Sequence, residues 1–157
     1  MKPQIGILAD NLSQSIKILS VILSDEMTLY IKTRKFHWNV SGESFMELHK
    51  LFQSQYTELE ETVDLVAERI SKLGGNTIGS MKEFLVLTRL KESTGDSPSQ
   101  NEMLKNLLGD HESIIIELRK DVALFGTDNN DIGTIDFLTG LIQQHETTAW
   151  VLRRYLK

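Results

Sequence analysis

The stretch of sequence that decides the fold is residues 45–75, FMELHKLFQSQYTELEETVDLVAERISKLGG. Its apolar and aromatic residues recur at intervals of three and four, the period of one face of an α-helix. Ser44 with Glu47 predicts a capping box at the start, and Gly74-Gly75 predicts a C-terminal stop. The repeating positions are Phe45, His49, Phe52, Tyr56, Leu59, Val63, Val66, Ile70 and Leu73. We therefore expect one long amphipathic helix here.

A first helix is predicted upstream, over about residues 6–39. The only two prolines lie at positions 3 and 98, so none interrupts this segment. Ser41-Gly42 is expected to end the helix. Its apolar positions, spaced by three and four, are Leu8, Leu12, Ile16, Leu19, Leu23, Met27 and Tyr30.

The segment from 76 to 97 is predicted to be a connection of roughly 20 residues, with a short amphipathic helix around Met81 to Thr88. Ser97-Pro98 with Gln100 predicts the start of a third long helix, since proline favours the first helical position. A connection of this length can cross a helix bundle from end to end.

The third long helix is expected to run to Phe125 and to stop at Gly126, and a fourth to run from Asp131 or Thr134 to the end of the chain. No alternating strand pattern is found. We therefore predict an all-α fold: a ferritin-like four-helix bundle with a short extra helix in the link between the second and third helices. The length of 157 residues suits a single domain spanning 1–157.

Composition limits the chemistry available to the chain. It has no cysteine, so a metal would have to be held by His, Asp or Glu, which points to iron, manganese or zinc. The net charge of −5 argues against a nucleic-acid binder. No apolar run resembles a signal peptide or a membrane span, so a cytoplasmic protein is expected.

Four residues are candidate metal ligands. Asp64 and Glu68 lie four apart and share one helix face, although taken alone they fit a solvated acidic edge. His37 and His49 flank the turn between the first two helices, so antiparallel packing could bring them together. His49 and Asp64 are separated by 15 residues, roughly 22 Å along a helix. Either the two pairs are unrelated, or a two-fold axis sets this helix antiparallel to its copy in a second subunit.

A metal site inside one bundle is disfavoured. Di-iron bundles of that kind use Glu-x-x-His on two helices, and this motif is absent from the sequence. His111 and His145 are each followed by a glutamate, but adjacent helical residues diverge by about 100° and make poor co-ligands.

The candidate residues belong to a longer pattern that closely resembles the signature of the Dps family of mini-ferritins. The spacings of 12, 15 and 4 between the four candidate ligands match the family pattern, and the resemblance covers nearly the whole chain. The matching residues are His37-Trp38-Asn39-Val40-Ser41-Gly42, Phe45, Leu48-His49, Asp64-x-x-Ala67-Glu68-Arg69, Gly74-Gly75, Asp136-Phe137-Leu138-Thr139 and Trp150.

The resemblance implies a specific function. Family members form shells of twelve subunits with two-fold and three-fold interfaces, oxidise Fe(II), usually with hydrogen peroxide, and store the ferric mineral. It implies ferroxidase sites with His37 and His49 from one subunit and Asp64 and Glu68 from its partner. At most two irons are expected at each site, and zinc could occupy it in purified samples. Trp38 would lie beside the site as an oxidisable aromatic or as a packing residue.

One position departs from the family pattern. The family commonly has a carboxylate four residues after the second histidine, where this chain has Gln53. An amide is a weaker iron ligand than a carboxylate. We therefore expect weaker binding of the second metal or a site bridged by water.

The family also lines its three-fold pores near the start of the fourth helix, where this chain has Asp128, Asp131 and Asp136. Carboxylate rings attract cations. Aspartates at a first helical turn can instead cap the helix, an alternative that weighs most for Asp131; Asp136 matches the pore best.

Two other functions are compatible with the family. A DNA-compacting starvation protein usually has a lysine-rich tail, whereas this N-terminus has only Lys2 before the apolar pattern. DNA binding is therefore expected to be absent or weak. A catalytically weakened shell protein is the other alternative, with Gln53 marking the decay of the site.

Overall fold

Five helices make up the regular structure in this computed structural model, which describes residues 3–125 and 130–157. They are α1 (Ala9–Asn39), α2 (Phe45–Lys72), α3 (Met81–Leu87), α4 (Gln100–Phe125) and α5 (Ile132–Tyr155). No strand occurs within the described ranges. The predicted all-α bundle, with a short helix in its long link, is confirmed.

The helices pack as two hairpins joined by the long link. α1 packs along α2 and α4 along α5, while α1 also contacts α3 and α4. The predicted stripe of α2 supplies Phe52, Leu59, Val66 and Ile70 to the core. No helix of the described chain has the length and apolar character needed to cross a membrane.

The end of α2 follows the glycine prediction. Gly74 has φ +84°, a left-handed conformation that glycine adopts readily. The amide of Gly74 donates to the carbonyl of Ser71 (2.9 Å), and that of Gly75 donates to Ile70 (3.0 Å). This pair of bonds is the Schellman motif. It ends the helix where the apolar stripe ends.

The predicted start of α1 was wrong, whereas α2 starts after Ser44 as predicted but without the predicted capping box. α1 begins at Ala9 rather than near residue 6, because Gly6 has φ +78° and cannot continue a right-handed helix. Ser44 precedes α2 but its side chain makes no capping hydrogen bond. Glu47 instead accepts a hydrogen bond from the Tyr155 hydroxyl (3.3 Å), so the predicted capping box does not form.

The start of α4 was predicted two residues too early. The amide of Ser99 donates to Glu102 (3.0 Å), and the amide of Glu102 donates back to the Ser99 hydroxyl (3.4 Å). Ser99 therefore caps the helix, and Pro98 lies outside it. The predicted stop at Gly126 falls outside the described residues. α5 begins directly after Asp131, which caps it, as one of the two predicted starts required.

Arg89 fastens the link to both hairpins. Its Nε donates to Asp25 of α1 (2.7 Å), and its guanidinium also donates to Asp121 of α4 (2.9 Å). The Arg89 amide and the Thr88 hydroxyl donate to the other oxygen of Asp25 (2.6 and 3.1 Å). Burial raises the pKa of Asp25 in spite of these bonds, so the cost of desolvation is large and the carboxylate depends on its partners.

Replacing Arg89 by Met should lower the free energy of unfolding by about 3 kcal/mol, because Asp25 would stay buried without a cation. Urea unfolding at fixed protein concentration measures the loss. Adding Asp25→Asn should recover part of it, since the uncompensated charge is then removed. Arg119→Met, which breaks an exposed ion pair with Glu146, is the control. A loss as large in the control would contradict a special role for Arg89.

Candidate metal centre

His37 and His49 form a reciprocal pair at the corner between α1 and α2. Nδ1 of His37 lies 2.8 Å from the backbone carbonyl of His49, and Nδ1 of His49 lies 3.0 Å from the carbonyl of His37. The two rings stack with centroids 3.8 Å apart and planes inclined by 24°. The short turn therefore brings together two imidazoles that are 12 residues apart in the sequence.

The carbonyl partners decide the tautomer of both rings. A carbonyl oxygen can only accept, so each Nδ1 must carry the hydrogen and donate it. In the neutral ring Nε2 then has a free lone pair. This is the arrangement found in metal-binding histidines, in which a second hydrogen bond fixes the ring and leaves the other nitrogen for the ion. The local fold thus prepares two nitrogen ligands.

Aromatic side chains surround the histidine pair. Tyr56 packs edge-on against His37, with centroids 5.1 Å apart. The Arg34 guanidinium lies 4.7 Å above the Tyr56 ring and 5.5 Å above the Trp38 ring. Trp38 is 65% exposed. The Trp38 side chain is therefore held by the Arg34 cation rather than by core packing, and it faces the surface.

The two candidate carboxylates lie elsewhere on α2. Both Asp64 and Glu68 are exposed. Asp64 lines a shallow groove between α1 and α2 together with Tyr30, Glu60 and Glu61. Glu68 accepts a hydrogen bond from Lys72 (2.8 Å), and this contact lowers the pKa of Glu68. Both carboxylates are accessible to solvent, but they are not close to the histidines.

A single subunit does not bring a full ligand set together. Within residues 3–125 and 130–157, no group of three or more His, Asp or Glu side chains could hold a metal ion. α2 is a continuous helix, so the 15 positions from His49 to Asp64 correspond to roughly 22 Å. Gln53, one turn after His49, is exposed and adds no charge. A metal ion at the histidine pair would therefore have only two side-chain ligands from this subunit.

The three aspartates predicted near a pore have different environments. Asp131 is only 1% exposed and caps α5: its Oδ1 accepts from the Thr134 amide and from Arg69, and its Oδ2 accepts from Ser15. The structure thus shows the capping alternative for this residue. Asp136 is exposed on α5, and Asp128 lies outside the described residues. A pore role for Asp136 stays a prediction.

A second polar cluster was missed from the sequence. His111 and His145, set aside because the glutamates beside them diverge, are both buried and contact each other. The carboxylate that contacts His145 is Glu26 of α1, 119 residues away in the sequence. No local motif connects residues so far apart. The only signal was a glutamate within the apolar pattern of the first helix.

Comparisons with known proteins identify the family and the fold. A family model described as a ferritin-like domain matches residues 16–157. A crystal structure of the Dps protein from Vibrio cholerae O1, described as a ferritin-like diiron-carboxylate protein, superposes with a TM-score of 0.93 at 29% identity, covering 99% of this chain and 97% of that one. DNA protection during starvation protein 2 from Bacillus anthracis is 33% identical over 91% of this chain and 97% of its own length. The chain belongs to the Dps family.

Another relative has a name that describes its induction by low temperature and not an activity. It is an uncharacterized low temperature-induced protein from Nostoc sp., 44% identical over 98% of this chain and 86% of its own length. Membership of the Dps family confirms the resemblance seen in the sequence. It also accounts for the long link, since a Dps subunit is a ferritin-like bundle.

Lys72 should compete with a metal for Glu68. Replacing Lys72 by Gln is expected to raise the affinity of the assembled protein for Co²⁺ by about two- to fivefold, the range set by an exposed ion pair. Calorimetric titration at low salt measures the change, which should shrink as salt screens the pair. Lys105→Gln removes the same charge from α4. An equal rise in that control would show a general charge effect and contradict competition at Glu68.

Proposed function

We propose that this chain oxidises Fe(II) at sites shared between two subunits and stores the ferric product inside a closed shell. Membership of the ferritin-like family supports a role in iron storage in general. Each site takes His37 and His49 from one subunit and Asp64 and Glu68 from the next. The observation that carries the proposal is the histidine pair, prepared to bind a metal yet lacking a carboxylate.

A two-fold axis supplies what one subunit lacks. When two copies of α2 lie antiparallel across such an axis, the start of each helix faces the end of its mate. His49 near one end then meets Asp64 and Glu68 near the other, and the dimer has two equivalent sites. The groove lined by Asp64, Glu60 and Glu61 gives this face the negative charge that attracts Fe²⁺.

The chemistry asked of each site is the transfer of two electrons. Two Fe(II) ions each lose one electron, and one hydrogen peroxide takes up both electrons and two protons to give two waters. Holding two irons together favours this step over the one-electron reaction that makes hydroxyl radical. Imidazole and carboxylate ligands suit iron in both oxidation states. Iron is therefore the substrate, and the protein positions it.

Gln53 makes the two iron positions unequal. One position keeps His49, Asp64 and Glu68, whereas the position nearer His37 lacks the carboxylate that the family commonly provides. The second iron should therefore bind more weakly or through water. Asp136, exposed on α5, is the aspartate we assign to an entry pore, because its carboxylate can face a channel.

Duplex DNA is a poor ligand for this chain. The net charge of −5 per subunit is multiplied on assembly and repels the phosphate backbone. Arg153 and Arg154 lie in the last turn of α5, where cations complement the helix dipole. The DNA protection in the name of the Bacillus anthracis relative is therefore not extended to this protein.

The protein is expected to assemble into twelve subunits, with a mass of about 215 kDa from the 17.9 kDa chain. Several large apolar side chains are exposed on the isolated subunit and require partners. They include Leu65, Leu124, Ile116, Ile132 and Trp150. Light scattering at micromolar concentration tests the assembly. A stable monomer or simple dimer would contradict the shell.

A mixing experiment tests whether the site is shared. One variant carries His37→Ala and His49→Ala, and the other carries Asp64→Ala and Glu68→Ala. Each alone should oxidise iron poorly, because every site lacks half of its ligands. After dissociation, equal mixing and reassembly, half of the dimers are mixed and one of their two sites is whole. Roughly a quarter of wild-type ferroxidase activity should return.

Two controls make this result decisive. Native mass spectrometry of differently tagged variants confirms that mixed shells form. Mixing tagged and untagged copies of the same variant should restore nothing, since no dimer then contains a whole site. Absence of recovery in confirmed mixed shells would refute the shared site, because a site built within one chain cannot be restored by a partner.

A further inference from the structure

Three hydrogen-bonded side chains cross the middle of the bundle. Nε2 of His145 on α5 lies 2.8 Å from Oε1 of Glu26 on α1, and Nδ1 of His145 lies 2.8 Å from Nδ1 of His111 on α4. The exposed fractions of Glu26, His145 and His111 are 0%, 1% and 2%. We call these three residues the buried array. It joins three helices and has no part in the metal site proposed above.

Burial favours a state of the array with no net charge. An isolated charge in the core is costly, whereas a proton can move along the bond between Glu26 and His145 without changing the total. With Glu26 ionised and His145 protonated, His145 donates from both ring nitrogens. His111 is then neutral and accepts at Nδ1. One carboxylate, one imidazolium and one imidazole account for both hydrogen bonds.

The bond between the two rings tolerates only one hydrogen. If His111 is protonated while His145 is charged, both Nδ1 atoms carry hydrogen, and two donors face each other at 2.8 Å. The described residues offer no hydrogen-bond partner to Nε2 of His111 or to Oε2 of Glu26. A second proton placed on His111 therefore puts two donors into the contact between the rings, and the ring-to-ring bond must break.

The surroundings oppose that second proton. The pKa of His111 lies well below its ordinary value, mainly because the ring is buried and in addition because His145 is charged. From α2, Glu58 is the titratable group that interacts with the array; burial raises its pKa, and His145 partly offsets the increase. The charged neighbours of the array on α4 and α5 are engaged elsewhere: Asp110 with Lys32, Glu112 with Arg153, and Glu146 with Arg119.

We propose that the buried array is an acid-sensitive latch that holds α4 and α5 together and ties them to α1. Above about pH 6.5, the ordinary pKa of histidine, His111 is neutral in the folded and in the unfolded chain, and the latch is closed. As pH falls below that value, the unfolded chain takes up a proton that the folded chain refuses. The unfolding equilibrium constant then rises by up to tenfold per pH unit for this one group.

The test compares wild type with His111→Gln between pH 8 and pH 5, using metal-free full-length protein and urea unfolding at fixed concentration. Glutamine can bond to His145 but does not titrate. Below pH 6.5 the unfolding equilibrium constant of the variant should rise less steeply with acid than that of wild type. The difference should reach up to tenfold per pH unit. Glu112→Gln, at the adjacent exposed position of α4, is the matched control and should keep the wild-type slope. Equal slopes in wild type and His111→Gln would overturn the latch.

A second measurement serves if His111→Gln does not fold. Exchange of the imidazole C2 hydrogen, followed by mass spectrometry of wild-type peptides, titrates each histidine separately. His111 should titrate below the value for histidine in an unfolded peptide. Titration at or above about pH 6.5 would overturn the latch. The latch would also be overturned, in favour of a buried metal centre, if wild type retained one metal ion per chain and His111→Gln did not.

Discussion

An α-helix rises about 1.5 Å per residue, and this rigid spacing determines how the protein can work. α2 carries His49 near its start and both candidate carboxylates near its end, and its length keeps His49 and Asp64 far apart within one subunit. Folding of one subunit cannot bring His49 close to Asp64, because the helix has no break between the two residues. In the proposed function the site is therefore completed by symmetry, and a second subunit supplies part of its ligands.

The interior of the bundle contains more polar chemistry than a simple packing model requires. Arg89 joins Asp25 and Asp121, Asp131 joins Ser15 and Arg69, and the buried array joins Glu26 to two histidines. Each group connects helices that lie far apart in the sequence. Buried polar groups are costly when their partners are lost. They therefore make one arrangement of the helices much better than its alternatives.

Local patterns predicted the parts of the fold that depend on neighbouring residues. The apolar stripe of α2 and the glycines after it gave the right helix, since both signals lie within a few residues of the structure they specify. The capping residues were less predictable. Each of Ser44, Ser97 and Ser99 lies three residues before a Glu or Gln that could complete a capping box. Whether the box forms depends on tertiary contacts, such as the hydrogen bond from Tyr155 to Glu47.

The site was predictable to the extent that its residues follow a helix period or flank a turn. The spacing of His37 and His49 suggested their contact, and the structure adds the reciprocal carbonyl bonds that set their tautomer. The sequence left Asp131 with two roles, helix capping or pore lining. Only its contacts with Ser15 and Arg69 distinguish them. Glu26 could not be assigned from sequence, because its partner is 119 positions away.

The way Arg89 is attached has a consequence for the order of folding. The contacts inside each hairpin connect helices that follow one another along the chain, whereas Arg89 and Asp25 are 64 residues apart. Closing short loops costs less entropy, so hairpins can form while the link is still loose. The Arg89 contacts would then develop after the rate-limiting step. Contacts of that kind leave the folding rate nearly unchanged and instead slow unfolding, so this arginine governs how long a subunit persists once it has formed.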